Sequence, residues 1–441
     1  MRARDEKTVK MKPESEQAEI MTQTESSILY DTAVVGAGAA GLTAAIHSRR
    51  LGLKTILLDG REKIGAKILM SGGTRCNVTN QKVSEQDFQS ERRRSVRNVL
   101  RAYPAERTED FFRALGVELV LEPGGKLFPS THSGRTILEA LTREADFRGV
   151  RLVTGCKVDS IRRKEPFFEL GGTGFSIQSR TVILCTGGLS FPTTGSDGSG
   201  YALAQAMGHS LVETSPSLTP LLTADEAWKK LSGLTLPVRI SLVHEALKIA
   251  EYEGSFLFTH TGFSGPAVLN ISRHWIRLKD PGAVLTIQFL PGIKEEAFRA
   301  EMGASLCAHP KMKVKNFLAA RLPEKLAQTL LDKAEIPAER ILNQLSKTER
   351  EALIRVLFRC GLSVSGSAGY AKAEVTAGGV RLDEVEESVM ESKLQPGLFF
   401  AGEILDADGR IGGFNFQWAW SSGEAAARGA RRRVDLLGKE S

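Results

Sequence analysis

The sequence predicts an α/β fold in which a Rossmann-like dinucleotide-binding domain is built from both ends of the chain and split by a β-rich insertion that carries a helical stretch. Three observations predict it. A glycine-spaced strand–helix–strand unit runs from Asp31 to Asp59. A strand-and-glycine texture returns from Gly369 onward. Between them the texture changes twice, to short strand-like pieces broken by Gly and Pro after about Tyr201, and to a charged helical pattern from Glu295 to Cys360. A chain of 441 residues has room for two or three domains, and 41% hydrophobic with 25% charged residues is ordinary for a globular protein.

Taken in order, residues 1–28 are polar and charged, without the apolar stretch of a secretion signal, and read as a disordered tail. DTAVV (Asp31 to Val35) is a short buried strand, a small-residue helix follows from about Ala39 to Arg50, and KTILLD (Lys54 to Asp59) is the second strand. Ser84 to Arg148 reads as mostly helical, with a hairpin-like section near Val117 to Phe128. Arg151 to Cys156 and Lys157 to Ile161 look like strands. Phe167 to Leu170 and Ser176 to Ile177 suggest a small antiparallel excursion, and TVILC (Thr181 to Cys185) a further buried strand. In the insertion LPVRISLV, ALKIAEYEG, GSFLFTH and VLTIQFL are strand-like, and Pro310, Pro323 and Pro337 break the helical stretch. AEVTAGGV and LFFAGE restore the strand texture, and the last helix begins after Gly413.

The chemistry sits in the glycine motifs. VVGAGAAG has the GxGxxG spacing between a strand and a helix: Gly36 for the tight turn, Gly38 for a pyrophosphate to approach, Gly41 for close helix packing, with Ala39 and Ala40 opening the helix. Free N–H groups and a partial positive charge at that helix end favour phosphates. Asp59 ends the second strand, where a carboxylate accepts from ribose hydroxyls. The acid alone leaves NAD and FAD open. The rest of the chain favours FAD. Thr186-Gly187-Gly188 ends a later strand, Gly402-Glu403 ends another, and Gly412-Gly413 then opens a helix whose N-terminus would face the flavin N1/O2 edge and stabilise the anionic reduced ring. KIGAKILMSGGTRCNVTN (63–80) is a glycine-rich loop holding Lys67, Ser71, Arg75, Cys76, Asn77 and Asn80, of a kind that runs along a flavin.

Other features carry less. Cys76, Cys156, Cys185, Cys307 and Cys360 are scattered without CxxC or zinc spacing, so no metal site or disulfide framework is expected and a cytoplasmic setting fits. Cys76 reads as a plain thiol. His260, with Thr259 and Ser264, lies in a glycine turn of the insertion and is a candidate proton donor, as is Arg75 a candidate catalytic cation. Arginine clusters at Arg92–Arg94, with Arg97 and Arg101, and at Arg431–Arg433 read as solvated faces; without interleaved aromatics, a nucleic-acid partner is not expected despite the net charge of +7. No apolar run is long enough to span a membrane.

VVGAGAAG, KILMSGGTRCNVTN, GGLSFPTTGSDGSGYALAQAMGH, LFTHTGFSGPAVL, AEVTAGGV and AGEILDADGRIGGFNFQWAWSSG together resemble the BaiN-like (YhiN) family of bacterial NAD(P)/FAD-dependent oxidoreductases, the aminoacetone-oxidase-like flavoproteins, from Tyr30 to about Gly429. Thr74 and Val78 stand where the family usually has Gly and Leu, and Phe414 where it often has Tyr. The resemblance implies an FAD-binding domain at 29–200 and 369–441, a β-rich insert at 201–294 and 361–368, and a helical subdomain at 295–360. It implies FAD contacts at Gly36, Gly38, Gly41, Asp59, Lys67, Arg75, Asn77, Val158, Thr186, Gly187, Gly402, Glu403, Gly413 and Asn415, with Val158 offering a backbone group to the adenine.

The expected activity is hydride transfer between flavin and a small organic substrate, with NAD(P)H as a transient electron donor and an activated C=C bond as the group reduced. No second GxGxxG marks a separate NAD(P) domain. Alternatives are an oxidase of a small amine or ketone that returns electrons to oxygen, and an RNA-binding flavoprotein related to tRNA-modifying enzymes. The proton donor is sought at His260 and in the loop 71–80. The sequence leaves the oligomeric state open.

Overall fold

The computed structural model describes residues 28–440, so the expected tail lies outside the described residues except for Ile28. The strand Leu29–Val35 is apolar because it is covered on both faces and both edges. Thr55–Leu58 runs parallel to it on one side and Phe175–Leu184 on the other. The sheet continues outward to Arg151–Val153 beyond Thr55–Leu58, and to Leu398–Phe400 beyond Phe175–Leu184, both in parallel pairing. Leu398 therefore lies in register with Val182, whose N–H donates to the Gly397 carbonyl at 2.9 Å, and the two ends of the chain share one sheet. The helix Ala39–Arg50 packs on this sheet against the long closing helix Phe414–Glu440. They touch where Gly423 lies: a Cβ there would stand 2.7 Å from the Ala40 carbonyl.

Details of this unit differ from the expectation, and the strand read at Lys157 to Ile161 lies at Ser160–Lys164. Ser176–Ile177 and TVILC are one continuous strand, Phe175–Leu184. Its first half pairs antiparallel with Phe167–Gly172 and is half-exposed, which makes it read as a separate, more polar piece. The buried core of this unit also runs past residue 200: Tyr201, Leu203, Ala204 and Met207, on and just after the helix Ser199–Ala206, pack into it. The helices Arg93–Ala102, Ala105–Ala114 and Gly134–Phe147, and the hairpin Leu119–Glu122 with Lys126–Pro129, complete it.

The chain leaves this unit along Leu211–Ser217 and returns along Val375–Val380, and the two strands pair antiparallel as a neck. Beyond the neck lies a second, seven-stranded sheet of antiparallel pairs centred on Thr235–His244 and Leu247–Phe258. Its core is aromatic, with Trp228, Phe256, Phe258, Phe263 and Phe289 all buried. The helices of 295–360 bury Phe298, Phe317, Leu330 and Leu357 in that same core, so the helical stretch shares the sheet's interior and has none of its own. The helix Pro266–Leu278 went unread in the sequence because its start, PAVLNIS, follows a glycine turn and looks like one more apolar strand; Pro266 at its first position suits a helix start.

That helix forms the seam between the units. Leu269 packs with Leu218 and Val375, and Ile411 joins them. Asn270 Oδ1 accepts from the Ile411 N–H at 2.8 Å. Among the described residues no helix is long and apolar enough to cross a membrane.

Candidate site: a nucleotide groove closed by the C-terminal segment

The glycine motif is dictated by contact. Gly36 has φ +101°, and a Cβ there would meet the Cys185 carbonyl oxygen at 2.5 Å. At Gly41 a Cβ would stand 1.8 Å from the Gly36 carbonyl oxygen, so helix and strand could not approach as they do. Gly38 is different: a Cβ there meets nothing within 4 Å. That open space lies at the start of the helix Ala39–Arg50, which has no side-chain cap and no acidic residue in its first turn. The N–H groups of Ala39, Ala40 and Gly41 are left for a ligand, and an anion suits them.

Asp59 accepts from the Ala37 N–H at 2.7 Å through Oδ2 and from the Arg61 N–H at 2.8 Å through Oδ1. Burial raises its pKa and these two bonds pull it back. The carboxylate thus braces the glycine turn from the end of the second strand. Val158 is buried two residues after Cys156, whose N–H donates to the Asp59 carbonyl at 2.8 Å. Gly187 has φ +72°, and the neighbouring Thr186 Oγ1 is buried without a hydrogen-bond partner. That hydroxyl packs inward against Gly200, where a Cβ would stand 1.8 Å from it.

A second cluster faces this turn. Glu403 Oε2 lies 2.5 Å from Lys67 Nζ, and Glu403 Oε1 accepts from Ser190 Oγ at 2.5 Å and from the Thr376 N–H at 3.0 Å. Lys67 also donates to Ser190 Oγ at 2.6 Å. Ser190 and Thr376 were missed in the sequence; they come from GGLS and AEVTAGGV, and nothing in either motif announces a carboxylate partner. Gly402 has φ +79°, with its N–H donating to Ser422 Oγ at 2.9 Å, which ties the strand end to the closing helix.

The closing turn is held from the loop 71–80. Gly412 and Gly413 have φ +135° and +93°, and a Cβ on Gly413 would meet the Thr79 carbonyl oxygen at 2.5 Å. Asn80 Nδ2 donates to the Gly412 carbonyl at 3.1 Å. With its amide turned to match its neighbours, Asn77 donates to the Thr79 carbonyl at 3.0 Å and accepts from the Gly413 N–H at 3.1 Å. Asn415 is engaged at both ends by the Gly409 backbone, at 2.8 and 2.9 Å. Arg75 pairs with Glu122 at 2.7 Å and lies over the Phe128 ring, 4.1 Å from its centroid. The side chains of Asn77, Arg75 and Asn415 are therefore all engaged by the protein itself. Cys76 is buried, and burial pushes its thiol up to about 12, which keeps it protonated.

His260 stands apart. It is exposed on a turn of the second unit, whose bonds are made by its neighbours, with Thr259 N–H donating to the Gly262 carbonyl at 2.8 Å. A buried ion pair crosses the seam instead: Arg273 Nε lies 3.1 Å from Asp408 Oδ2. Ser217 Oγ donates to the same oxygen at 3.1 Å. Arg273 Nε is not aligned to donate, and Asp408 Oδ1 has no partner. Burial raises the Asp408 pKa to about 6, against the pull of Arg273.

An elongated adenine-flavin dinucleotide fits this arrangement: a phosphate-accepting helix start, an acid at the adjacent strand end, and a glycine-opened second helix from the far end of the chain. Matched against known families, residues 30–429 fit the HI0933-like protein Rossmann domain. The chain is 34% identical to the ribosomal RNA dihydrouridine synthase of Escherichia coli, over 90% of this chain and 97% of the relative. It is 33% identical to the 3-dehydro-bile acid delta(4,6)-reductase of Clostridium scindens, over 91% of this chain and 98% of the relative. Among solved structures, the open conformation of a flavocytochrome c3 fumarate reductase aligns over 93% of this chain and 79% of its own, at 16% identity and a TM-score of 0.46.

Proposed function

The chain belongs to the HI0933-like family of FAD-dependent oxidoreductases, and from that premise we propose that it reduces the C5=C6 bond of a uridine in ribosomal RNA with NAD(P)H as electron donor. The expected class of reaction, reduction of a C=C bond, is the one named in both relatives. Bound FAD supplies the hydride. The residues of this chain hold and tune it: the N–H groups at Ala39 to Gly41 for the pyrophosphate, Asp59 for the adenosine side, Lys67 and Glu403 beside the Thr186–Gly187 turn, and the Gly412–Gly413 turn with the closing helix for the ring.

Two substrate classes are open to such a site, and charge favours the polyanion. Arg92, Arg93 and Arg94 are exposed at the start of the helix Arg93–Ala102, directly after the strand Phe88–Gln89. That strand pairs with Asp408–Gly409, three residues before the Gly412–Gly413 turn. The arginines thus flank the end of the groove where the ring would lie, on a chain of net charge +7. This reading reverses the expectation of no nucleic-acid partner, and it suits a cytoplasmic protein with free thiols. The test is incubation of the FAD-loaded protein and NADPH with unmodified ribosomal RNA transcripts, followed by nucleoside mass spectrometry. A uridine gaining two mass units, with binding that weakens steeply as salt rises, is the expected result. No mass gain together with no RNA retention at low salt refutes it, and reduction of a steroid dienone in its place moves the assignment to the other class.

A further inference from the structure

Reduction of a C=C bond needs a proton as well as a hydride, and the acids already described are committed. Glu403 is tied to Lys67, Ser190 and Thr376. Asp408 is fully buried against Ser217 and Arg273. Cys76 is buried and His260 sits on an exposed turn.

Glu374 is not committed. Among the described residues its side chain makes no hydrogen bond and no salt bridge, while its backbone is fixed: its N–H donates to the Leu218 carbonyl at 3.2 Å. The next residue, Val375, packs at the seam with Leu218, Leu269 and Ile411. One residue further, the Thr376 N–H donates to Glu403. Glu374 therefore stands where the neck, the second unit and the Glu403 cluster meet.

Its side chain is exposed to solvent, yet the surrounding protein desolvates the carboxyl and raises its pKa, with Lys67 and Lys126 pulling the other way. A group that is wet and surrounded at once lines a concavity. The two lysines are the cations that act on it. Lys67 belongs to the Glu403 side. Lys126 pairs on its other edge with Asn80 of the strand Thr79–Asn80, and Asn80 holds Gly412. Glu374 thus lies between the Glu403 cluster, which the Thr376 N–H two residues on joins, and the strand that holds the closing turn.

We propose that Glu374 is the proton donor of the reduction, an inference that rests on the reading of the site as a C=C reductase. As hydride reaches one carbon of the double bond, the π pair forms a C–H bond at the other carbon with the Glu374 proton. The carboxyl O–H breaks and its electron pair stays on oxygen. The carboxylate, facing Lys67 and Lys126, is reprotonated by water from the open side.

The experiment compares wild type, Glu374→Gln and Glu374→Asp as FAD-loaded proteins. First, the visible spectrum of the oxidised flavin is titrated with pH. Wild type is expected to show a transition above the ordinary carboxylate range that Glu374→Gln lacks; identical curves place Glu374 away from the ring and overturn the inference. Lys67, Lys126 and Glu403 also face this space and are present in all three proteins, so the difference isolates Glu374. Second, flavin reduction by NADPH is followed separately from dihydrouridine formation in unmodified ribosomal RNA. Glu374→Gln is expected to keep the first within twofold and lose roughly 100-fold or more in the second, with Glu374→Asp in between. Equal dihydrouridine formation by Glu374→Gln overturns the inference. If wild type forms none, the substrate reading fails, and the spectral titration still decides whether Glu374 lines the groove.

Discussion

The two units of this molecule differ in where their crowded glycines lie. In the nucleotide unit Gly36, Gly41, Gly402 and Gly413 each have an atom within 3 Å of where a Cβ would be, and for three of them it is a backbone oxygen. In the second unit Gly233, Gly292, Gly303 and Gly361 face open space, and the crowded exceptions, Gly262 and Gly265, lie on the single turn that leads into the seam helix. One unit is held by backbones pressed together around a place for phosphate. The other is held by an aromatic interior. The difference teaches where a substitution will act: on the cofactor or on the fold.

The largest effect expected is at Gly41. Gly41→Val drives side-chain atoms into the Gly36 carbonyl and should leave a protein that neither folds fully nor takes up FAD, by circular dichroism and flavin-to-protein ratio. Its contrast is Gly38→Ala. With open space around that position, the apoprotein should melt within about 0.5 kcal/mol of wild type while FAD affinity falls, because the methyl occupies the approach to the helix start; equal losses in stability would break the distinction. Next is Trp228→Ala in the second unit. Loss of a fully buried tryptophan packed on Phe258 should cost about 4 kcal/mol. If the two cores are separable, the second unit should melt at a lower temperature than the flavin is released. A single shared transition would mean that the seam couples them.

The smallest expected effect is at the seam itself and depends on pH. Asp408 has its folded-state pKa raised to about 6, so the folded protein holds this proton after the unfolded chain has released it. Stability from this group is full below the ordinary carboxylate value and is lost as pH rises towards 6. Measured by denaturant unfolding, wild-type stability relative to Asp408→Asn should therefore drop by up to about 3 kcal/mol between pH 4 and pH 6. A constant difference would show that the Asp408 charge is better compensated by Arg273 than its burial implies.

The legibility of the sequence follows the same division. The helix Ala39–Arg50 was readable to the residue, because Gly36, Gly38 and Gly41 encode a steric demand that few other residues satisfy. In the second unit only texture was readable. Phe256, Phe258 and Phe263 say that a core exists but not what packs on it, so the helix Pro266–Leu278 went unread and the shared interior of the helical stretch 295–360 could not be seen. The Glu403 cluster was half visible: Gly402-Glu403 and Lys67 stood in motifs, whereas Ser190 and Thr376 are ordinary residues that only the fold brings together. Arg273 and Asp408 lie 135 positions apart, and no local pattern relates them. Arg75, Asn77 and Asn415 were read as groups offered to the cofactor; their hydrogen bonds to the protein mean that conspicuous polar side chains in a glycine-rich loop can serve as its scaffolding.

The neck has a consequence for how such a protein can change over time. Ser217 and Val375 are the last rung before the chain departs, so departure and return lie about 5 Å apart. Everything between them hangs from a single doorway. Mutations there can reshape what is presented to the groove without asking the nucleotide half to re-register a strand. A common chassis could then exchange its head, and with it its clientele, from a flat hydrocarbon to a folded polymer, while the redox engine underneath stays as it was.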